Sequence, residues 1–586
     1  MVKISKIRNP FTSPDSLTIA DVLVRVECDP QLSSRKKREI SSALRQVPKW
    51  LNRLPADVPA NAAFLRKALE DFHPDHAGIS KRRYQNVIST VKFAFKHCGV
   101  LLNNRIYLAE FTPEWQALWD LLDEKYHRSG LSRCFRFCSA QRIKPEDVDD
   151  AFFAAFLKAL EAEAITKKPR TQHQTACRIW NICVKSIQGW PQKPVTVPVY
   201  GDFYTERLDA FPESFQQDLA RYIDRLTHVD LLDEDGPPRA LRPRTIHSLK
   251  MLIRQLAAGL IHQGHSLADI TTLTYLVEHY QEALRWHLQR TNKKTSSQLS
   301  GLADCIRSLA KYHVRVDPET LKKIEQIRSR LTHETTGLTD KNRERLRQFD
   351  DPKNVIKLLW AGKKAFALSV KRDDGTRQTA HEASLALAHE LLLHAPMRIA
   401  NLASLRLDQH LHWEKSGCKG VLSIAIPGQE VKNGEPLNFP FPLPVSNMVH
   451  QYLEVFRPRL FKGSNDYLFP SRDGKAKRSD TLGKQISKQI WDKCGLRVNP
   501  HLIRHFVAKQ IVEATPGNYE GARRILAHKD SNTTYKFYEG MEAKPAVKHW
   551  QDILVNKRGH TEPYGGDGLR DTRVMRRGSH PKRRLA

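Results

Sequence analysis

The sequence predicts a mainly helical chain with one small antiparallel β-sheet, in which helical bundles precede a mixed α/β domain. Apolar residues recur at the helical period through roughly the first 330 residues, with 245–262 as a clear example. Further along, 421–426 and 437–441 have strand character. Between them lies Asn433-Gly434, the strongest short signal for a hairpin turn, so we expect these two strands to pair.

The length of 586 residues exceeds what one compact core needs, so several domains are expected. The tail is Gly-rich, basic and without apolar periodicity, which is typical of disorder. We predict five segments: a helical N-terminal unit over 1–110, a second helical unit over 111–200, a helical clamp over 201–335, a mixed α/β domain over 336–556 and a basic disordered tail over 557–586.

The charge of the chain favours a polyanionic partner. The formal net charge is +31 and the pI is ≈ 9.8. Binding of so basic a chain to nucleic acid is favourable because each neutralised phosphate releases counterions; a merely soluble basic protein is the alternative. The sequence contains no apolar stretch of about 18 residues and its N-terminus lacks a signal-peptide core. We therefore expect a cytoplasmic protein without a membrane partner.

Cysteine and histidine spacing gives no sign of a metal site. The 9 cysteines are scattered, and pairs such as Cys134 and Cys138 lack zinc-ligand spacing. His389 and His394 are five residues apart, whereas a zinc-binding pair on one helix face is four apart. Reduced cysteines are expected, with neither metal nor cofactor.

Three basic segments, starting at Ser80, Lys167 and Asn292, each lead into a helical pattern and follow an acidic, apolar helix. Such a unit would offer lysines and the positive end of a helix to phosphates. The alternative is three unrelated helical hairpins with solvated basic loops.

Residues suited to attack on a phosphodiester follow one another in the C-terminal part of the chain. Tyr538 offers a phenol that can form a phosphoester, although an unperturbed phenol is protonated at neutral pH. Arg398 and Arg504 can hold the non-bridging oxygens bidentately in place of a metal ion.

Proton transfer has candidates as well. Lys432, beside the predicted turn, can protonate the leaving 5′ oxygen, and His501 or His528 can take the phenol proton or bind phosphate. His501 and Arg504 are three residues apart, so on a helix they project from one face. Lys432 as an ordinary hairpin lysine remains the alternative.

The ordered set resembles the catalytic domain of the tyrosine recombinase (phage integrase) family over 336–556. The resemblance depends on this sequence of residues: Arg398, Lys432, His501-x-x-Arg504, Leu526-Ala527-His528 and Tyr538. It implies a site-specific DNA recombinase of a mobile genetic element that works through a 3′-phosphotyrosyl intermediate. It also implies a synaptic tetramer on double-stranded nucleoid DNA, with 201–335 as the core-site clamp and other recombinase subunits as further partners.

The chain departs from the family pattern in three places. Asn401 stands where an acidic residue commonly braces the first arginine, so we expect a different group to hold Arg398. Ala527 replaces the usual glycine. Tyr538 is one residue further along than the commonest spacing, which leaves Tyr535 as the rival nucleophile.

Two functional alternatives remain, a catalytically inactive DNA-binding partner of other recombinases and a type IB topoisomerase. Other nearby residues have expected roles outside the reaction. We expect helix-surface or phosphate-contact roles for His505 and Lys529, a structural or backbone-binding role for Arg406, and a packing role for Trp550.

Overall fold

A computed structural model gives the fold of the chain as two compact units, Met1–Glu334 and Thr335–Ala586. The residues that the structure describes are 17–101, 109–163, 165, 168–201, 203–230, 232–233, 236–292, 294–333, 337–414, 420–515, 517–529, 534–535, 551 and 555.

The first helical core of unit 1 contains four α-helices. The first helix begins at a capping box, in which the Thr18 side chain accepts from the Asp21 backbone N–H and the Asp21 carboxylate accepts from the Thr18 N–H. Val22, Leu44 and Phe95 are fully buried in this core. The helices are α1 (Ile19–Cys28), α2 (Ser34–Trp50), α3 (Ala62–Ala68) and α4 (Lys81–His97).

The second helical core of unit 1 is rich in aromatic side chains. Trp115, Phe135 and Trp180 are fully buried, and the Trp115 and Phe135 ring centroids are 4.6 Å apart. Its helices are α5 (Pro113–Asp120), α6 (Lys125–Gln141), α7 (Asp150–Glu163) and α8 (Pro169–Ser186).

The third helical core of unit 1 contains six helices. They are α9 (Glu213–Thr227), α10 (Pro243–Ile261), α11 (Leu273–Glu278), α12 (Tyr280–Arg290), α13 (Ser297–Leu309) and α14 (Pro318–Leu331). Proline at the first turn starts α10 and α14, where its missing N–H leaves no intrahelical hydrogen bond unmade. The helices predicted after the three basic segments form as α4, α8 and α13.

Unit 2 has one large core with a buried helix at its centre. That helix, α17, is buried around most of its circumference from Ala380 to Leu392, and α16, α20, α21 and α22 pack on it. The helices are α15 (Asp340–Arg347), α16 (Pro352–Lys371), α17 (Arg377–His394), α18 (Ile399–Ala403), α19 (Leu407–His410), α20 (Leu443–Gln451), α21 (Ser479–Cys494), α22 (Pro500–Ala514) and α23 (Tyr519–Leu526).

A three-stranded antiparallel sheet in the order β1-β2-β3 completes unit 2. The strands are β1 (Leu411–Trp413), β2 (Leu422–Ile426) and β3 (Leu437–Pro440). Ile424 pairs with Leu411 on one side and with Phe439 on the other. The predicted fold class and the pairing of β2 with β3 are confirmed. The sequence did not indicate β1, because three residues are too short to show an alternating pattern.

The turn predicted at Asn433-Gly434 is present, since the Gly434 N–H donates to the Val431 carbonyl oxygen at 3.1 Å, but it lies within a longer loop. The connection from β2 to β3 spans 427–436 and includes a short 3₁₀ turn, although Gly434 does adopt a left-handed conformation with φ +80°. Pro427 and Pro436 lie at its two ends, and neither can donate to a ladder hydrogen bond. The strands therefore separate early, and the residues between them form a broad loop.

The described residues also bear on the state of the cysteines and on whether a helix could span a membrane. All the cysteines that the structure describes are free thiols, as expected for reduced cysteines. In the same described part of the chain, every helix is too short or too polar to cross a bilayer.

Two glycines of the third helical core give a matched test of its packing. A Cβ added at Gly259 in α10 would lie 2.9 Å from the Ala283 carbonyl oxygen, whereas one at Gly301 in α13 would meet only Leu252, at 3.7 Å. Gly301→Ala should stabilise the core by about 0.5–1 kcal/mol through helix propensity. Gly259→Ala should destabilise it by about 1–3 kcal/mol through overpacking. Urea dependence of amide exchange in α10 measures both, and equal effects of the two changes would contradict the packing described.

Candidate active site

Arg398 lies at the N-terminus of α18, directly after the buried helix α17 and its exit loop. Its side chain is half-buried, and burial lowers its pKa below the usual range. Its Nη1 donates a hydrogen bond to Asn433 Oδ1 at 3.2 Å. The acidic brace that the sequence lacks at Asn401 is therefore replaced by an amide from the β2–β3 loop.

Asn433 has a second partner. Its Nδ2 donates to the Ala527 carbonyl oxygen at 2.7 Å, at the end of α23. The β2–β3 loop is thus fastened at one residue to both Arg398 and α23. Lys432, the preceding residue, is exposed on this loop.

Arg504 is the buried arginine of the site. It lies on α22, which begins at Asn499, whose side chain accepts from the Leu502 N–H at 2.8 Å. Arg504 is 5% exposed, and its guanidinium donates to the Leu526 carbonyl oxygen at 2.8 Å and to the Pro396 carbonyl oxygen. The same side chain therefore joins α22, the end of α23 and the loop that leads to Arg398.

The end of α23 is a tight left-handed turn. Ala527 has φ +47°, and the N–H groups of Ala527 and His528 donate to the carbonyl oxygens of Arg524 and Arg523, each at 3.0 Å. This pattern is a Schellman motif, in which glycine is the usual residue at the left-handed position. The motif turns the carbonyl groups of Leu526 and Ala527 towards Arg504 and Asn433.

His528 follows this turn and is held by two contacts. Arg523 Nη1 donates to its carbonyl oxygen at 2.9 Å, and its Nδ1 lies 2.9 Å from the hydroxyl of Thr534, which is fully buried. Burial and the neighbouring cations, chiefly Arg504, lower the pKa of His528 to about 4. The ring is therefore neutral at physiological pH, and one of its two nitrogens can accept a proton.

His501 and His505 form a pair on α22. Their Nε2 atoms are 3.1 Å apart and their rings meet edge to face. Burial, then Arg504 and Arg398, lower the pKa of His501, and burial with His501 lowers that of His505 to about 3. The surface role expected for His505 is wrong, because His505 is 4% exposed and faces the core beside His501.

The remaining predicted residues lie at the margin of the site or outside the described part of the chain. Tyr535, the rival nucleophile, is 47% exposed, with its ring centroid 5.2 Å from that of Tyr519. Lys529 is exposed, and Arg406 pairs with carboxylates as expected of a structural residue. Tyr538 and Trp550 lie outside the described residues.

Hydrogen bonds join Arg398, through Asn433, and Arg504 to the turn that precedes His528. Lys432 precedes Asn433 in the chain, and His501 lies one turn before Arg504 on α22. Two arginines and neutral imidazoles suit binding of an oxyanion rather than of a cation. Sequence reasoning missed Asn433 and Thr534, which position the site. Asn433 gave a signal only as a turn residue, and Thr534 gave none.

Residues 373–544 match the phage integrase family, a span that contains all six predicted residues. This segment of the chain is therefore similar to the tyrosine recombinase (phage integrase) family. No curated protein sequence matches the chain at a significant level.

Several solved structures are similar to part of the chain. XerA recombinase is 16% identical with a TM-score of 0.24, over 58% of this chain and 99% of that chain. A lambda integrase dimer bound to a COC′ core site is 13% identical with a TM-score of 0.32, over 56% and 96%. The Tn1549 transposon integrase with circular intermediate DNA is 14% identical with a TM-score of 0.30, over 53% and 94%.

The histidine pKa shifts predict a pH-dependent stability. Because the pKa values of His505 and His528 lie below that of an unfolded histidine, the unfolded state binds more protons from about pH 6.5 down to about pH 4. Stability should therefore be full near pH 7 and fall with acidification, by up to about 1.4 kcal/mol per pH unit for each group. His505→Gln should flatten this slope in urea unfolding of unit 2 at pH 5, 6 and 7. His247→Gln, an exposed change on α10, is the control; an unchanged slope in His505→Gln would contradict the burial assigned to this ring.

Proposed function

We propose that the chain is a site-specific DNA recombinase that cuts and rejoins DNA through a 3′-phosphotyrosyl intermediate, with Tyr538 as the nucleophile. The observation that carries this proposal is the single framework at the end of α23. Arg504 bonds the Leu526 carbonyl there, and Asn433 links Arg398 to the Ala527 carbonyl. Two guanidinium groups are therefore fixed before substrate arrives, as transition-state stabilisation requires.

Each cationic group has a step in the proposed reaction. The Tyr538 oxygen attacks phosphorus, the bond to the 5′ oxygen breaks, and Arg398 and Arg504 hold the non-bridging oxygens of the five-coordinate state. A neutral His501 or His528, with a lowered pKa, accepts the phenol proton. Lys432 delivers a proton to the departing 5′ oxygen, and its exposed position on the loop beside Asn433 supports this role.

The covalent intermediate also explains rejoining. A 5′-hydroxyl from a second DNA strand attacks the phosphotyrosine and releases Tyr538, so the bond energy is conserved without ATP or metal. Recombination of this kind pairs two sites, and we propose a synaptic tetramer on double-stranded DNA in which 541–555 is exchanged between protomers. The third helical core is the proposed core-site clamp, 1–200 binds further DNA or other recombinase subunits, and a mobile genetic element is the proposed setting.

Two other functions share this fold. A DNA-binding partner without activity would bind recombination sites but form no covalent adduct with nicked suicide substrates. A type IB topoisomerase would relax supercoiled DNA without sequence dependence and without pairing sites. Two arginines held by the same turn, together with the presence of all six residues in the sequence, favour the active recombinase over the inactive partner.

Replacement of the nucleophile gives the first functional test. Tyr538→Phe should abolish covalent attachment to DNA and leave DNA affinity nearly unchanged, because the change removes one hydroxyl and no charge. Tyr535→Phe is the matched control and should keep the adduct. Denaturing gels of a suicide-substrate reaction measure both. An adduct that persists in Tyr538→Phe and disappears in Tyr535→Phe would assign the nucleophile to Tyr535.

Loss of either arginine should slow cleavage without loss of binding. Arg398→Ala and Arg504→Lys should each lower the single-turnover cleavage rate by at least about a hundredfold, the scale of one lost transition-state donor. Arg406→Ala, a partly exposed ion-paired position, is the control and should leave the rate unchanged. At saturating protein EDTA should not change the rate, since guanidinium groups take the place of a metal. Strict dependence of the chemical step on a divalent ion would contradict this mechanism.

A further inference from the structure

Two histidines and a glutamate meet in the third helical core, in unit 1, and the proposed reaction does not use them. His265 Nε2 lies 3.0 Å from Glu282 Oε2, and His279 Nδ1 lies 3.1 Å from Glu282 Oε1. One ligand atom from each of the three residues lies within 4.8 Å of the others. Among the described residues this is the one cluster of three or more such groups with that geometry.

The local fold explains how the three side chains meet. α10 ends at Ile261, and Gly264 with φ +104° turns the chain back so that His265 faces α12. His279 stands at the junction of α11 and α12, and Glu282 is one helical turn further along. A His-x-x-Glu pair at this spacing projects from one helix face, and His265 approaches it from the neighbouring loop.

The orientation of the His265 ring is fixed by a contact to its Nδ1 atom. The Tyr275 hydroxyl lies 2.8 Å from His265 Nδ1, so the ring presents Nε2 to Glu282. His265 has 16% of its side chain exposed and His279 has 33%, whereas Glu282 has 46%, so the cluster is open on the glutamate side. Both histidines lower the pKa of Glu282, which keeps it a carboxylate. A metal-bound histidine is usually oriented by a hydrogen bond of this kind to its other ring nitrogen.

We propose that His265, His279 and Glu282 bind one divalent transition-metal ion, with zinc as the best match. Two imidazole nitrogens and one carboxylate oxygen are a typical three-ligand set for zinc, with water in the fourth position. Because an imidazole must be neutral to bind a metal ion, binding should weaken as pH falls. Bound there, it would join the loop after α10 to α12 and hold α11 between them.

Hydrogen bonding alone is the competing explanation of the cluster. Exposed ion pairs contribute little to stability, so a cluster with only that role would tolerate loss of any member. If the cluster binds a metal ion, loss of any one of the three side chains should weaken binding, because all three are ligands of the same ion.

Metal titration of the full chain tests the proposal, independently of DNA cleavage. The chain is freed of metal with EDTA, exchanged into buffer and titrated with Co²⁺ and Zn²⁺. The unmodified chain is expected to bind one more metal ion tightly than His279→Asn or Glu282→Gln does. Its bound Co²⁺ should show absorption bands typical of four-coordination, and these bands should disappear when Zn²⁺ displaces the Co²⁺. His247→Asn, an exposed histidine on α10, is the control and should bind as the unmodified chain does.

A fourth variant examines the residue behind the site. Tyr275→Phe should bind the same number of metal ions but with an affinity lower by about tenfold or more. This is the usual effect of losing a hydrogen bond to the other ring nitrogen of a metal-binding histidine. Helical content of each variant is checked by circular dichroism, and a variant that loses helix is replaced by His265→Gln. Equal metal content in the unmodified chain and in the folded ligand variants would overturn the proposal, as would Co²⁺ bound without four-coordinate bands.

Discussion

The candidate active site depends on one helix end. The Schellman turn at Ala527 directs two consecutive carbonyl groups into the site, where Leu526 accepts from Arg504 and Ala527 accepts from Asn433. Asn433 in turn accepts from Arg398. Segments distant in sequence are therefore positioned by a single turn, and a shift of that turn would move both arginines. Hydrogen bonds with a charged partner contribute about 1.5–3 kcal/mol each, which explains how the turn can hold a buried guanidinium.

This arrangement concentrates positive charge at a partly buried place. Burial and the adjacent arginines lower the pKa values of the histidines, so these side chains are neutral. An incoming phosphate would reverse that balance, because its negative charge is close enough to offset the arginines. Neutral imidazoles beside fixed guanidinium groups suit the binding of an oxyanion.

The sequence was informative where local pattern decides the structure. The helical period predicted α10, and strand character with turn residues predicted that β2 pairs with β3. The order of Arg398, His501 and Arg504 indicated the catalytic domain before any contact was known. These features depend on residues close together or on chemistry that few residue types can perform.

Contacts between segments that are distant in the chain could not be predicted from the sequence. Asn433 meets Arg398 and Ala527 only after the sheet and α23 have packed, and its place beside a glycine suggested a turn instead. His505 was assigned to the surface, because one helix face alone does not show which neighbours will cover it. The cluster of His265, His279 and Glu282 has ordinary spacing in sequence and becomes evident only when the loop after α10 folds back.

Peptide mapping of the covalent DNA adduct tests the central claim most directly. Trypsin cuts after Lys536 and so separates Tyr535, on peptide 530–536, from Tyr538, on peptide 537–548. The unmodified chain is reacted with a nicked suicide substrate, the DNA is trimmed with nuclease, and the peptides are weighed by mass spectrometry. The account predicts a nucleotide joined through phosphate to Tyr538 on peptide 537–548. A nucleotide on peptide 530–536, or no adduct on a substrate that the chain binds, would contradict it.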